Sequence, residues 1–220
     1  MRAEILRTIT SPPPQSSDTC EEHSKSEQRH NDLLKAPVLR ESINVSLILR
    51  LHESLGINTP SSLRKSMVLP GITGVTHFPP NHDEVAGLLD AFCGALREKI
   101  EVWCGFSAAA LALWFVNNIH PFSDGNGRTA RGLAFLVLRM ATLLPDHATL
   151  DAFHAAFHRC DERKRYYAGL AVTNEAVGVC ECCSAAPMQH ISTRMLSSVL
   201  SEDSFASLAS LLRDVVKGIS

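Results

Sequence analysis

The chain has 220 residues with a formal net charge of −2, 45% hydrophobic and 20% charged residues. That is the mixture of an ordinary globular protein with one sizeable core. Its near-neutral charge excludes a bulk field recruiting nucleic acid or anionic membrane, and 6% aromatic content offers no base-stacking platform. Seven cysteines on a chain without a basic-then-apolar leader read as reduced thiols in a cytoplasmic setting; an effector injected without a cleaved signal would look the same.

In chain order, residues 1–36 form a polar, proline-punctuated tail (SPPPQSS, then EEHSKSEQRHND) with the composition of a flexible segment. Residues 42–55 place Ile43, Leu47, Ile48, Leu51 and Leu55 on one helical stripe ended by Gly56. Residues 66–78 are β-branched and broken by Pro70-Gly71 and Gly74, which predicts a short β-hairpin. Asn81 with Glu84 predicts a capped helix start, followed by the amphipathic stripe Val85, Leu88, Leu89, Phe92 and Leu96. Ser107 is placed to cap the next helix, apolar nearly all round from Ala108 to Ile119 and therefore central. Leu133, Leu136, Val137, Met140 and Leu144 continue another buried helix up to Pro145. Residues 150–170 read as one helix, and residues 191–200 and 205–216 as two more. The fold class predicted is all-α with one hairpin, divided into a core over residues 37–178 and a C-terminal helical extension over 179–220. Trp103 and Trp114 are assigned to the core. No apolar run reaches the roughly 18 residues of a membrane span.

Between the two buried helices lies HPFSDGNGRTAR, residues 120–131. Gly125 and Gly127 let the backbone turn and its N–H groups approach a ligand. The following helix begins near Gly127 or Arg128, and a helix start is a natural phosphate seat. Arg128 and Arg131 share a face and can fork onto phosphate oxygens. Asp124 would repel a bare phosphate there, but it suits a divalent cation bridging phosphate oxygens. His120 is suited to take a proton from an attacking hydroxyl. Pro121 fixes how His120 leaves its helix, and Phe122 anchors the loop. A base, a metal carboxylate and an anion cradle together point to phosphoryl or nucleotidyl transfer.

These residues resemble the signature of Fic-domain proteins, HPFx(D/E)GNGRxxR, with every fixed position filled. Weaker similarity runs from LHESLG through Leu63-Arg64-Lys65 to RKRYYAGLAVTNEA, about residues 40–178. The resemblance implies a Fic-type helical bundle with a β-hairpin flap. It implies a protein adenylyltransferase that moves AMP from ATP to a Ser, Thr or Tyr hydroxyl of a target protein and releases pyrophosphate. His120 would be the base and Asp124 the Mg²⁺ ligand. Asn126, with the backbone around Gly125 and Gly127, would grip the α-phosphate; Arg128 and Arg131 would hold the β- and γ-phosphates. The hairpin, residues 68–77 with Val75, Thr76 and His77, would be the flap that pairs with the target strand. A kinase branch of the family carries lysine where this chain has Gly127, so Gly127 favours AMP transfer. Phosphocholine transfer, removal of AMP from a target and a nucleotide-regulated interaction module stay open, as does a homodimer.

The family's inhibitory motif, (S/T)xxxE(G/N), has no clean copy. Ser17 to Glu21 has the spacing but lies in the tail. Ser198 to Glu202 has it too, with Asp203 in the last place; there Glu202 would pair with Arg131 at rest. His154 and His158, four apart on a helix, could share a metal, although a partly exposed histidine face is the simpler reading. Cys180, Cys182, Cys183 and His190 invite a zinc reading that their CxCC spacing does not match.

Overall fold

The computed structural model describes residues 39–55, 62–66, 79–179, 191, 196 and 200–219. Seven α-helices run through them: α1 (Val45–Ser54), α2 (Val85–Val102), α3 (Gly105–Ile119), α4 (Asn126–Met140), α5 (Leu150–His158), α6 (Cys160–Ala176) and α7 (Ala206–Lys217). No strand occurs among the described residues, so the described architecture is all-helical; the predicted hairpin falls on residues 67–78, outside them.

The centre is α3. Every residue from Ser107 to Ile119 is buried, as its all-round apolar sequence requires. It packs most extensively on α4, and α2 and α7 also lie against it. Phe92 of α2 stacks on Phe115 with ring centroids 4.1 Å apart. Trp114 fills the core, fully buried, and donates Nε1–H to Asn174 Oδ1 at 2.7 Å; a buried indole needs such a partner. Trp103 differs from expectation. It is only partly buried, with its ring 5.6 Å from Phe205 and the Lys99 ammonium 5.1 Å from it.

Helix starts follow local chemistry where the chain supplies it. Asn81 and Glu84 form the predicted capping box ahead of α2, and Asn44 Oδ1 accepts from Leu47 N at the start of α1. Ser107 is not a cap. Helix α3 begins two residues earlier, at Gly105, and no side chain of its own first turn caps it. The cap comes from elsewhere: Glu202 Oε1 accepts the Cys104 N–H at 2.9 Å, a carboxylate at the positive end of a helix.

Residues 150–170 do not form one helix. The chain is extended at Arg159 (φ −61°, ψ 141°), which separates α5 from α6. No glycine or proline marks the break. Tertiary packing accompanies it: α5 lies on α4 with a smaller contact to α7, whereas α6 lies along α7. Similarly α4 ends at Met140 rather than running to Pro145, with Thr142 at φ 55°. The expected helix over 191–200 lies almost wholly outside the described residues. Helix α7 and the turn before it match the predicted stripe: Phe205, Leu208, Leu212 and Val215 are all fully buried.

One close approach positions the site. A Cβ added at Gly132 of α4 would lie 3.1 Å from both Leu51 methyls. The missing side chain lets α1 press against α4 and brings His52 under the loop that joins α3 to α4.

Candidate active site

Helix α3 ends in a strained residue. His120 occupies the left-handed region (φ 49°, ψ 60°), where a residue with a Cβ pays a steric penalty and which occurs preferentially at functional positions. Pro121 follows, disfavouring a further right-handed turn. His120 Nδ1 lies 3.0 Å from Asn117 O. A carbonyl can only accept, so Nδ1 carries the proton and Nε2 is left as the basic nitrogen.

The loop beyond is held from within and from below. The amide of Asn126 both accepts from Phe122 N and donates to Phe122 O, each at 2.9 Å. Asn126 is 2% exposed, and in this arrangement its side chain shapes the loop. Phe122 is fully buried and stacks on His52, ring centroids 3.8 Å apart. His52 Nε2 lies 3.0 Å from Asp124 O and donates to it by the same carbonyl logic. Gly125 takes the left-handed conformation (φ 79°) that lets the chain swing into α4. Gly127 needs no such freedom; a Cβ there would meet only Arg131 Nη1 at 3.5 Å and Asn117 Oδ1 at 3.8 Å.

Burial holds the His52 imidazole below its usual range, partly offset by the bond to the Asp124 carbonyl. Its unfolded pKa is about 6.5 and its folded pKa is lower, so the unfolded chain binds the proton first. The stability linked to neutral His52 is therefore complete above that range and lost as pH falls through it. Denaturant unfolding at pH 7.5 and pH 5 should show a larger loss for the wild type than for His52→Phe. Equal losses would contradict this role for His52.

The first i→i−4 bond of α4 is Thr129 N to Gly125 O at 2.9 Å, so the N–H groups of Asn126, Gly127 and Arg128 have no partner within the helix. The first turn contains no acidic residue. Asp124 sits just before it, with Oδ1 accepting Gly125 N–H at 2.6 Å and Oδ2 3.4 Å from Arg128 Nη2. This ion pair is exposed and long, and such pairs are weak.

Arg131 is the unusual member. It is 9% exposed, burial lowers its pKa, and Nε has no hydrogen-bond partner. No carboxylate pairs with it among the described residues. Its guanidinium lies 5.8 Å from the Phe157 ring centroid and reaches back toward Gly127 in the first turn. The neighbouring Tyr166 hydroxyl is pushed up to about 12 by burial, so it stays neutral and supplies no counter-charge. An isolated buried cation is costly, and it stands beside unpaired helix-start amides.

The structure thus brings His120, Asp124, Gly125, Gly127, Arg128 and Arg131 to one junction of α3 and α4. Glu202 is not there. It caps the opposite end of α3, and 15 residues of helix at ~1.5 Å each separate the two ends by roughly 22 Å. The expected pairing of Glu202 with Arg131 is not made. Glu202→Gln should cost about 0.5–1 kcal/mol through the weakened charge–dipole contact, read as a lower melting temperature, and leave auto-modification unchanged. A rise in auto-modification would restore the inhibitory role.

The His154–His158 metal reading gains no support. Burial lowers the pKa of His158, and Arg131 and Arg163 lower it further, an environment that repels a cation. No cluster of three metal-binding side chains occurs among the described residues. Cys180, Cys182, Cys183, His190, Val75, Thr76 and His77 lie outside them. Two residues that sequence reasoning passed over, His52 and Arg64, turn out to support the loop. For His52 the available signal was its place four residues after Ile48, on the apolar stripe of α1; Arg64, between Leu63 and Lys65 in a serine-flanked segment, carries no such signal.

Comparison with known proteins identifies the family of this domain. The sequence profile of the Fic/DOC family matches residues 42–138. The chain belongs to the Fic family. It is similar to proteins named protein adenylyltransferase Fic: 31% identical over 166 residues to that of Drosophila erecta, and 31% over 167 residues to that of Aedes aegypti. In both cases the match covers 69% of this chain and 31% of the relative, so the chain spans about a third of the length of these relatives. A Fic-domain-containing signaling protein from Bacteroides thetaiotaomicron shares the fold, with TM-score 0.62 at 15% identity over 95% of this chain and 74% of that one. A Fic family protein from Desulfovibrio desulfuricans aligns with TM-score 0.50 at 19% identity over 95% and 56%. No described helix is long and apolar enough to cross a membrane.

Proposed function

We propose that this Fic domain transfers AMP from ATP to a hydroxyl side chain of a target protein. The observation that carries the reading is Arg131: a buried guanidinium without a carboxylate, next to the unpaired first-turn amides of α4 and one loop away from a base. A polyanion offsets its desolvation and satisfies the amides together. Arg128, exposed at the same helix start, exchanges its weak contact with Asp124 for phosphate oxygens.

Released from Arg128, Asp124 fits Mg²⁺. Its carboxylate is a hard oxygen donor, well exposed, and Mg²⁺ on a nucleotide takes one or two carboxylates with phosphate oxygens and water as its remaining ligands. When bound, the ion neutralises charge on the leaving pyrophosphate. His120 Nε2 takes the proton of the target hydroxyl. The hydroxyl oxygen then bonds the α-phosphorus, and the bond from that phosphorus to the bridging oxygen breaks, releasing pyrophosphate. The target segment would be presented by the flap, with Val75, Thr76 and His77 pairing to it as a strand. Removal of AMP, which would call on Glu202 to place water, draws no support from a glutamate at the far end of α3.

Incubation with a lysate, Mg²⁺ and ATP labelled at either the α- or the γ-phosphate tests the reading. Label should pass to protein from the α-position alone. Transfer from the γ-position would mean kinase chemistry and overturn it.

A further inference from the structure

We infer that Arg64 is a positioning residue that holds the His120 backbone in its left-handed conformation and so aims the imidazole. The inference deepens the proposed transfer and rests on that reading for its kinetic consequence only.

Arg64 lies in the segment 62–66, before α2, and is 3% exposed. It bonds three successive carbonyls at the end of α3. Nη2 donates to Ile119 O at 3.4 Å, Nε to His120 O at 2.7 Å, and its own backbone N–H to Pro121 O at 2.9 Å. Nη1 donates to Ser66 O at 3.0 Å, and Nη2 also bonds Pro80 O. Every partner is a backbone oxygen; no carboxylate pairs with the guanidinium among the described residues. A buried arginine paired only with carbonyls is fixing a backbone path, and the negative end of α3 stabilises its charge.

That path is the strained one. A helix terminus usually reaches the left-handed region through glycine, whereas here the residue is His120. The carbonyls of residues 119, 120 and 121 point the way Arg64 needs only if His120 keeps its dihedral angles. A planar fork with donors on three nitrogens can hold such a set; an ammonium, a single point of donation, cannot reproduce it. The same fork joins Ser66 and Pro80, on either side of residues 67–78, to the motif. The chain ahead of α2 is thereby registered on the catalytic histidine. Arg64 does not touch the phosphate seat, which Gly125, the α4 amides and Arg131 build on their own.

The test has two arms. In isotopically labelled Arg64→Met, the His120 Cα and Cβ chemical shifts should leave their left-handed values, while resonances of α7 stay in place. In the transfer assay, kcat should fall by about 10²-fold, the size of effect a displaced catalytic group produces, with KM for ATP little changed. Free guanidinium should restore part of the rate in Arg64→Gly, and Arg64→Lys should recover little. If Arg64→Met does not fold, the folded Arg64→Lys variant carries both readouts. Unchanged His120 shifts with unchanged kcat in a folded variant would overturn the inference, as would equal losses in kcat and ATP affinity. If the wild type transfers no label, the proposed activity fails while the chemical shifts still decide the role of Arg64.

Discussion

Replacing His120 by Ala is expected to lower AMP transfer by about 10²–10⁴-fold, the usual contribution of a positioned base, without unfolding the chain. The imidazole is only half-buried and contributes nothing to the hydrophobic core. Its Nδ1 bonds Asn117 O, an acceptor of the same helix. The strain lies in the backbone, where φ is 49°, and survives the substitution. His120→Asn separates the two effects. Asparagine tolerates the left-handed region but has no group that titrates near neutrality, so it should match the alanine variant in rate and the wild type in melting temperature. Labelling that persists in either variant would remove His120 as the base.

Arg131→Met should do two opposite things. Binding of ATP should weaken, with transfer lowered by about 10²–10³-fold, the loss typical of one donor in a preorganised anion site. The melting temperature of the nucleotide-free protein should rise. The reasoning is electrostatic. Arg131 is 9% exposed, its Nε lacks a hydrogen-bond partner, and burial depresses its pKa. Its neighbours are Phe157, Tyr166, Tyr167 and a second arginine, Arg128. Replacing an uncompensated buried charge by an apolar side chain of similar length relieves desolvation, the trade between stability and activity that active sites often show. Thermal scans with and without Mg·ATP read both effects: the variant should start higher and gain less on adding nucleotide. A variant that melts lower and still gains as much as the wild type would mean that Arg131 is structural.

Much of this was legible in the sequence because the decisive signals were local. The all-round apolar run from Ala108 to Ile119 specified a central helix, and α3 is buried throughout. Asn81 with Glu84 specified a cap, and the capping box is made. The order of residues 120–131 specified a loop feeding a helix start, and Gly125 turns there. What stayed hidden was long-range. Nothing near Cys104 announces that the helix it precedes is capped by Glu202, 98 residues away along the chain. The break at Arg159 has no breaker residue and accompanies a change in the helix on which each half mainly packs. The support that Arg64 and His52 give to the motif comes from elements 56 and 72 residues away, a separation that periodicity cannot register.

The most direct measurement is paramagnetic. With Mn²⁺ in place of Mg²⁺ and ATP added, nuclear resonances near the bound metal nucleotide broaden steeply with proximity. Those of His120, Gly125, Gly127 and Arg131 should broaden together, while those of Glu202 and Cys104, at the other end of α3, stay sharp. Broadening that spared His120 and the first turn of α4, or that centred on residues elsewhere, would contradict the account.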